Sequence, residues 1–230
     1  MKKTILASLL LGLASAGAAN ASLMATVSPT GAPAGQTYAS LNSLPLGSAG
    51  GVTNTNITVA FTGTNAAIVN GSVINGYSAP VFSNGNGAAF GDANGVDTTN
   101  YIAVGVGGTA TVSMPTALQS LGLLWGSVDA YNTLTFFSGV NGTGTNVGSL
   151  TGANLPSTGS NGNQTAVGTA YVNITSTQSF QSIVLTSTVN AFELDDLAFG
   201  TRQSVPEPVS MALLGSGLVG IAAFRRRRAK

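Results

Sequence analysis

The chain contains no cysteine and no histidine. Without cysteine there are no disulfide bonds, so a domain of this chain must be stabilised by its apolar core. The two absences together exclude the Cys-His and Ser-His-Asp nucleophile systems and zinc sites built on these ligands. Metal or catalytic chemistry in this chain would therefore rest on carboxylates, hydroxyls and amides.

Charged side chains make up only 7 % of the chain, and they are unevenly distributed. The stretch 22–204 has six acids and one base, Arg202, so the formal net charge of +1 for the whole chain hides a net charge of minus five here. Nucleic acid requires Lys and Arg at its phosphates, and this composition excludes it as a partner. The six acids are Asp92, Asp97, Asp129, Glu193, Asp195 and Asp196.

The first 21 residues have the order of a secretory signal peptide. A positive start with Lys2 and Lys3 precedes the apolar and small-residue run Ile5 to Ala18. Ala19 and Ala21 then supply the small-x-small pattern that signal peptidase cleaves. We expect removal of 1–21 and a mature chain that starts at Ser22; the alternative is a retained N-terminal anchor.

The last stretch, 205–230, has three parts in order. Val205-Pro206-Glu207-Pro208 is predicted to be extended, because proline removes backbone donors and restricts the residue before it. The uncharged run 209–224 would form a helix of about 24 Å, short for a bilayer core of about 30 Å but long enough with snorkelling. Four arginines, Arg225 to Arg228, would hold the 225–230 end in the cytoplasm and place the preceding chain outside. The four are Arg225, Arg226, Arg227 and Arg228.

Three glycines in the apolar run, Gly215, Gly217 and Gly220, have the spacing of a dinucleotide-binding fingerprint. That motif needs a preceding strand and a later acid for the ribose, and neither is present. A small-residue packing face in a membrane helix is the better interpretation.

The order of Val205–Pro208, the apolar run and the arginine cluster resembles the C-terminal sorting tail of the PEP-CTERM proteins of Gram-negative bacteria. The resemblance implies an exosortase, an integral membrane cysteine transpeptidase, that recognises Pro206-Glu207-Pro208 and removes the tail. It also implies that the inner membrane holds the precursor before processing, and that the exported product is associated with extracellular polysaccharide or biofilm matrix.

Short alternating apolar runs separated by Gly, Pro and Asn predict strands throughout 22–204. The first is predicted at Thr37–Leu41, and others at 57–61, 68–69, 73–74 and 80–82. Tyr101–Val106 and Thr109–Met114 flank Gly107-Gly108 and predict a hairpin. The fold class is therefore all-β, and we expect a single jelly-roll-like β-sandwich over 22–204.

The only tryptophan, Trp125, lies in the densest apolar stretch of the body, Leu121 to Val128. Apolar residues occur at both odd and even positions of this stretch, so both faces of the predicted strand are apolar. We therefore predict a central strand that is covered on both faces. Exposed tryptophans can stack on sugars, but the aliphatic neighbours of Trp125 favour a core position.

The loop 83–100 contains Asp92-Ala93-Asn94-Gly95-Val96-Asp97, with oxygen ligands at alternate positions around a glycine. Such oxygens suit Ca²⁺, although the spacing differs from the helix-loop-helix calcium loop and no bidentate Glu closes it. The competing interpretation is an ordinary turn, which Asn-Gly sequences also form.

In the closing segment Ala191–Gly200, Phe192 and Leu194 share one parity while Leu197 and Phe199 share the other. An extra residue at Asp195-Asp196 would produce this switch, so we predict a β-bulge there. The segment resembles the closing strand of jelly-roll carbohydrate-binding modules, and this resemblance implies a structural Ca²⁺ on an acid. With Ser-Leu-Pro-Leu-Gly at Ser43 and the sequence from Leu123, it also resembles a body that recurs among exosortase-dependent proteins. Exposed edge charges are the alternative.

Three functions remain open. The first is an exported, non-catalytic surface or matrix protein that contacts polysaccharide. The second is a carbohydrate-binding adhesin with Ca²⁺ at Asp195 or Asp196, together with Asp92 and Asp97. The third is a two-carboxylate hydrolase with Asp129 and Glu193 as acid and base.

Overall fold

The computed structural model describes residues 22–156 and 161–200, and within them it contains strands and two short 3-10 helices but no α-helix. None of the helices in these residues could cross a membrane. The strands are β1 (Leu23–Ser28), β2 (Thr37–Ala39), β3 (Gly51–Val52), β4 (Thr58–Gly63), β5 (Ala66–Val69), β6 (Val81–Phe82), β7 (Gly95–Val96), β8 (Tyr101–Val104), β9 (Gly108–Gly126), β10 (Asn132–Phe137), β11 (Asn146–Thr151), β12 (Ala170–Ser187) and β13 (Phe192–Phe199). The 3-10 helices are Ala88–Phe90 and Gly152–Asn154. The all-β prediction is confirmed.

Two long antiparallel strands, β9 and β12, run through the whole sheet. Their pairing begins at Trp125 opposite Ala170 and ends at Thr109 opposite Thr186. The register breaks in the middle, between Thr175 and Ser182 of β12. On β9 the break contains Pro115, which has no N–H to donate to a ladder. The break divides each long strand into two parts with different partners.

The two parts belong to two sheet sections. In the first section, residues 108–113 of β9 pair with β4 and with 182–186 of β12, which continues to β10 and then β11. In the second section, residues 121–126 of β9 lie between β12 and β13, with β1 beyond β12. Strand β13 also pairs with β2 and with β8, and β8 pairs with β5.

One hydrophobic core contains residues from both sections, so the two sections pack on a common interior. Trp125 stacks on Phe192 with ring centroids 4.4 Å apart, and Phe136 meets Phe180 edge-on at 4.9 Å. Burial of each such ring contributes roughly 1.5–3 kcal/mol relative to exposure. Other members of this core are Val112, Ile183, Leu185, Leu121, Val172 and Leu194.

The opposite face of the second section is covered as well. Leu124 of β9 packs there with Tyr171 and Ala198, below Phe82 and Phe90. The central strand predicted at Leu121–Val128 is thus confirmed as covered on both faces, and Trp125 lies in the core with no exposed surface. A sugar-stacking role for Trp125 is excluded by this burial.

Three strand predictions were wrong in detail. The predicted hairpin is absent because β8 pairs with β13 and β5 in the second section, whereas the beginning of β9 pairs in the first. The glycine turn at 105–108 therefore connects the two sections. Val73 and Ile74 lie in a turn closed by the Val73–Tyr77 bridge. The first strand is β1, Leu23–Ser28, rather than the one predicted from Thr37.

Candidate functional site

The closing strand β13 carries three of the acids and contains the predicted bulge. Asp195 pairs with Leu124 and Ala198 with Gly122, so the register shifts between them. Asp196 sits at the shift with φ of 51°, in the left-handed region that Asp tolerates better than most residues. The bulge prediction is therefore confirmed, and the extra residue turns two consecutive carboxyl groups toward the same neighbouring loop.

The alternative of exposed edge charges is wrong. Strand β13 is flanked by β9 on one side and by β2 and β8 on the other. Glu193, Asp195 and Asp196 are each 1 % exposed. Burial of three carboxyl groups is costly unless each gains a partner, because an ionised carboxylate loses its hydration.

The loop 92–97 supplies acidic neighbours for Asp195 and Asp196. Asp97 accepts hydrogen bonds from the N–H and the hydroxyl of Thr99, at 2.7 and 2.6 Å. The same Thr99 hydroxyl lies 3.4 Å from Oδ2 of Asp195, so Asp97 and Asp195 share it. Asp92 is a hydrogen-bond neighbour of Asp196. The structure thus brings together the four aspartates proposed from the sequence, as the pairs 97–195 and 92–196; we call them the aspartate cluster.

The aspartate cluster has no positive neighbour, because residues 22–200 contain neither Lys nor Arg. Burial and then the charge of Asp92 raise the pKa of Asp196 to about 9. Burial and then the charge of Asp196 raise the pKa of Asp195 as well. As carboxylates, Asp97, Asp195 and Asp196 each keep one oxygen without a hydrogen-bond donor. A proton or a cation between the paired groups would relieve both the repulsion and the missing bonds.

The arrangement fits Ca²⁺ only in part. Ca²⁺ takes six to eight oxygen ligands at about 2.3–2.6 Å. Within 22–156 and 161–200, no three acidic side chains form a group that could hold a metal ion. The backbone of 92–97 is not a simple turn: it bends at Asn94 and continues into the short strand β7, Gly95–Val96. The Asn94 side chain accepts the Gly85 N–H at 2.9 Å. The cluster supplies paired anionic oxygens but no complete coordination shell.

The other two acids meet elsewhere, in a cavity of about 660 Å³ between the loop 72–78, the loop after β12 and the segment 127–131. Asp129 and Glu193 both line it and are nearly fully buried. Sequence reasoning named these two as a potential pair, and the structure places them on one cavity. The cavity itself was not predicted, and residues 73–74 of its outer wall were predicted to form a strand.

Glu193 has hydrogen-bond donors beside it in the Ser78 N–H and the Ser127 side chain. Its Oε1 accepts the Ser78 N–H at 3.0 Å, while its Oε2 has no hydrogen-bond partner. Burial raises the pKa of Glu193 to about 8, against the lowering effect of the Ser78 N–H. Ser127, with φ of 42°, lies beside it in a left-handed conformation. The carboxyl group therefore keeps one buried oxygen, at the wall of the cavity, without a hydrogen-bond partner in the protein.

Asp129 is held by a different set of contacts. Burial raises the pKa of Asp129, and the hydrogen bond from Tyr131 opposes this shift. Gly162, with φ of 66°, brings the loop so close that a Cβ there would lie 2.7 Å from Oδ2 of Asp129. Asn161 bridges to the backbone of Asp129. The loop thus covers Asp129 and forms part of the cavity wall.

The predicted sites at both ends lie outside the described residues. These are Ala19 and Ala21 of the signal peptide, the motif Val205–Pro208, the helix 209–224 and the arginines 225–228. They stay predictions from the sequence as far as their structure is concerned.

Comparison with known proteins gives a family match to one part of the chain. No curated protein and no solved structure matches it. The family model of the PEP-CTERM protein-sorting motif matches residues 204–228, which include Val205–Pro208, the apolar run and Arg225–Arg228. This agrees with the resemblance found in the sequence. The chain therefore carries a PEP-CTERM protein-sorting motif, and this motif indicates an exported protein that is sorted by an exosortase.

Proposed function

We propose that this protein is a non-catalytic component of the cell surface or extracellular matrix, associated with exopolysaccharide in a biofilm. Signal peptidase would remove 1–21, the helix 209–224 would hold the precursor in the inner membrane, and an exosortase would cut near Pro206. The domain 22–204 would then be released to the surface. The observation that supports this route is the sorting-motif match at 204–228.

The composition of the domain supports the same proposal. Its polar side chains are mostly hydroxyls and amides, which form hydrogen bonds to hydrated sugars without charge. We further propose that its two sheet sections make up a jelly-roll-like β-sandwich, because β9 and β12 turn from one section into the other around one core. Because the chain has no cysteine, this core would stabilise the exported domain without disulfide bonds.

The test of processing is the mass of the exported protein in its native host. We expect a product that begins at Ser22 and lacks the arginine end. A Pro206→Ala, Glu207→Ala double variant should keep its tail and stay in the membrane fraction, whereas the control Gln203→Ala, just outside the matched residues, should be processed normally. An intact 225–230 end on the wild-type protein at steady state would refute the proposal.

A second candidate, a Ca²⁺-dependent carbohydrate-binding adhesin, is favoured by the aspartate cluster. Two pairs of carboxyl groups lie there without any Lys or Arg in 22–200, and three of their buried oxygens accept no hydrogen bond. Side-chain shifts, backbone carbonyls and water would have to complete the ligand shell.

Calcium titration followed by thermal unfolding tests this candidate. Ca²⁺ binding to the native state should raise the Tm of the wild-type chain, and excess chelator should reverse the increase. Asp195→Asn should abolish the response, and the control Asp129→Asn, in the other acid site, should retain it. An unchanged Tm with and without chelator would remove the candidate.

A further inference from the structure

The cavity that contains Glu193 and Asp129 has the features of a ligand site. Its volume of about 660 Å³ falls within the range of about 300–1,000 Å³ typical of small-molecule sites. Its floor has a buried carboxyl group with an oxygen, Oε2 of Glu193, that has no partner in the protein. Because a buried polar atom without a hydrogen bond is costly, a ligand that supplies one is favoured.

The rim of this cavity is apolar and exposed. Ile74 is 93 % exposed, and Val73, Val106 and Val189 are each about half exposed. All four line the cavity. These aliphatic side chains give a ligand apolar surface to bury at the cavity. Tyr77 and Tyr131 add aromatic rings to the same wall.

The charges of the lining limit the ligand class. Its only ionisable groups besides the tyrosines are Asp129 and Glu193, and 22–200 contains no base, so an anionic ligand would be repelled. The other polar groups are uncharged hydroxyls and amides, among them Ser72, Asn75 and Gln164. A sugar hydroxyl both donates and accepts, so it can satisfy Oε2 of Glu193 whether or not that carboxyl group carries a proton.

We propose that this cavity binds a neutral saccharide unit, with its hydroxyls on Glu193 and Asp129 and its apolar C–H face against Ile74 and Val189. The inference rests on the proposed function, because it names the place where the domain contacts polysaccharide. It is independent of the aspartate cluster. It assigns a binding role to the two carboxyl groups that sequence reasoning considered as an acid and base pair.

Saturation-transfer NMR and calorimetry with the full-length chain test the site. The chain is kept in a detergent without a sugar headgroup, and the probes are the neutral disaccharides cellobiose, maltose, lactose and diacetylchitobiose. We expect at least one of them to bind the wild-type chain. Ile74→Ser and Val189→Ser should weaken that binding about fivefold or more, since each removes apolar contact area.

Matched controls separate the cavity from the rest of the surface. Leu46→Ser and Val167→Ser remove exposed apolar side chains outside the cavity, 62 % and 76 % exposed, and should bind as the wild type does. Glu193→Leu removes both floor oxygens and should abolish binding. Thermal unfolding shows whether this buried variant folds, and the exposed rim variants decide the question if it does not.

Three outcomes would overturn the inference: no binding of any neutral probe, equal binding by Ile74→Ser and the wild type, or binding only of a polyuronate or an amine-bearing sugar. Export and tail removal are measured separately in the native host. A processed protein without saccharide binding would refute this inference alone, whereas an unprocessed protein that binds saccharide would refute only the sorting route.

Discussion

Asp195 and Asp196 follow one another in β13, yet each has a different acidic partner in the loop 92–97. Asp195 shares the Thr99 hydroxyl with Asp97, and Asp196 is hydrogen-bonded to Asp92. In a regular strand consecutive side chains point to opposite faces, and the left-handed Asp196 changes that alternation. The bulge therefore brings carboxyl groups together in a region, 22–200, that has no Lys or Arg, and this favours their protonated forms.

The first prediction concerns pH. The raised pKa values of Asp195 and Asp196 mean that the folded state keeps protons that the unfolded chain loses above about pH 4. In chelator, the free energy of unfolding should therefore be highest near or below pH 4 and fall as the pH rises toward 9. The slope is up to about 1.4 kcal/mol per pH unit for each such proton.

Denaturant titrations between pH 4 and 10 measure this dependence. Asp196→Asn should flatten the curve, because it removes the group whose pKa reaches about 9. Glu193 contributes in the same direction up to about pH 8, so its own substitution, Glu193→Gln, is compared in parallel. Stability that rises between pH 5 and 9 would contradict the assignment of these groups.

The second prediction concerns Thr99. Its hydroxyl donates to Asp97 at 2.6 Å, and Thr99→Val replaces it by a methyl group of the same shape. Loss of a hydrogen bond to a buried carboxyl group should lower the free energy of unfolding by about 1.5–3 kcal/mol. The adjacent Thr98 is exposed, and the control Thr98→Val should change stability by less than about 0.5 kcal/mol. Equal effects of the two variants in urea unfolding would refute the role of Thr99.

The third prediction compares two glycines that share a left-handed backbone. Gly162 has φ of 66° and Gly107 has φ of 76°, so alanine is strained at both. A Cβ at Gly107 meets nothing within 4 Å, whereas one at Gly162 lies 2.7 Å from Asp129. Gly107→Ala should cost about 1 kcal/mol, and Gly162→Ala should cost more. Thermal unfolding of both variants checks the difference, and a smaller cost at Gly162 would show that its loop does not close on Asp129.

The fourth prediction uses the single tryptophan as a probe. Trp125 has no exposed surface and stacks on Phe192. Its fluorescence should be blue-shifted, resist quenching by iodide and move to the red on unfolding. Addition of a saccharide should leave it protected, because Trp125 is not a sugar platform. Trp125→Ala should destabilise the domain by about 3–5 kcal/mol. Strong iodide quenching of the native protein would contradict the core position.

The fifth prediction concerns catalysis. The proposal of a non-catalytic protein predicts that the wild-type chain releases no reducing ends from neutral polysaccharides, including any that it binds. A reducing-sugar assay on the wild type and on an Asp129→Asn, Glu193→Gln double variant checks this. Release by the wild type that the double variant lacks would show a two-carboxylate hydrolase instead.

The parts of this fold that sequence could predict are those with a local signal. The parity switch between Leu194 and Leu197 predicted the bulge, and the apolar run around Trp125 predicted a central strand. The hairpin prediction at Gly107-Gly108 failed because strand partners depend on the whole chain: β8 pairs with β13, some ninety residues later. Glycine there signals a turn but not what the turn connects.

The candidate sites could likewise be predicted from the sequence only in part. The spacing of acids in the sequence identified the four members of the aspartate cluster, Asp92, Asp97, Asp195 and Asp196. Their proximity in space depends on the loop 92–97, which folds over β13. The saccharide cavity was missed because its walls come from segments far apart in sequence. An exposed isoleucine such as Ile74 in a loop is a weak signal that gains meaning only beside the buried Glu193.

The position of β13 also has a mechanical consequence. Strand β13 lies between β9 on one side and β2 and β8 on the other, and the sorting motif at 204–228 follows it in the chain. A force applied from the membrane end would have to break the hydrogen-bond ladders on both sides of β13 in shear. An edge strand, in contrast, is paired on one side only. While still tethered, the domain would resist unfolding by a force applied at its attachment point.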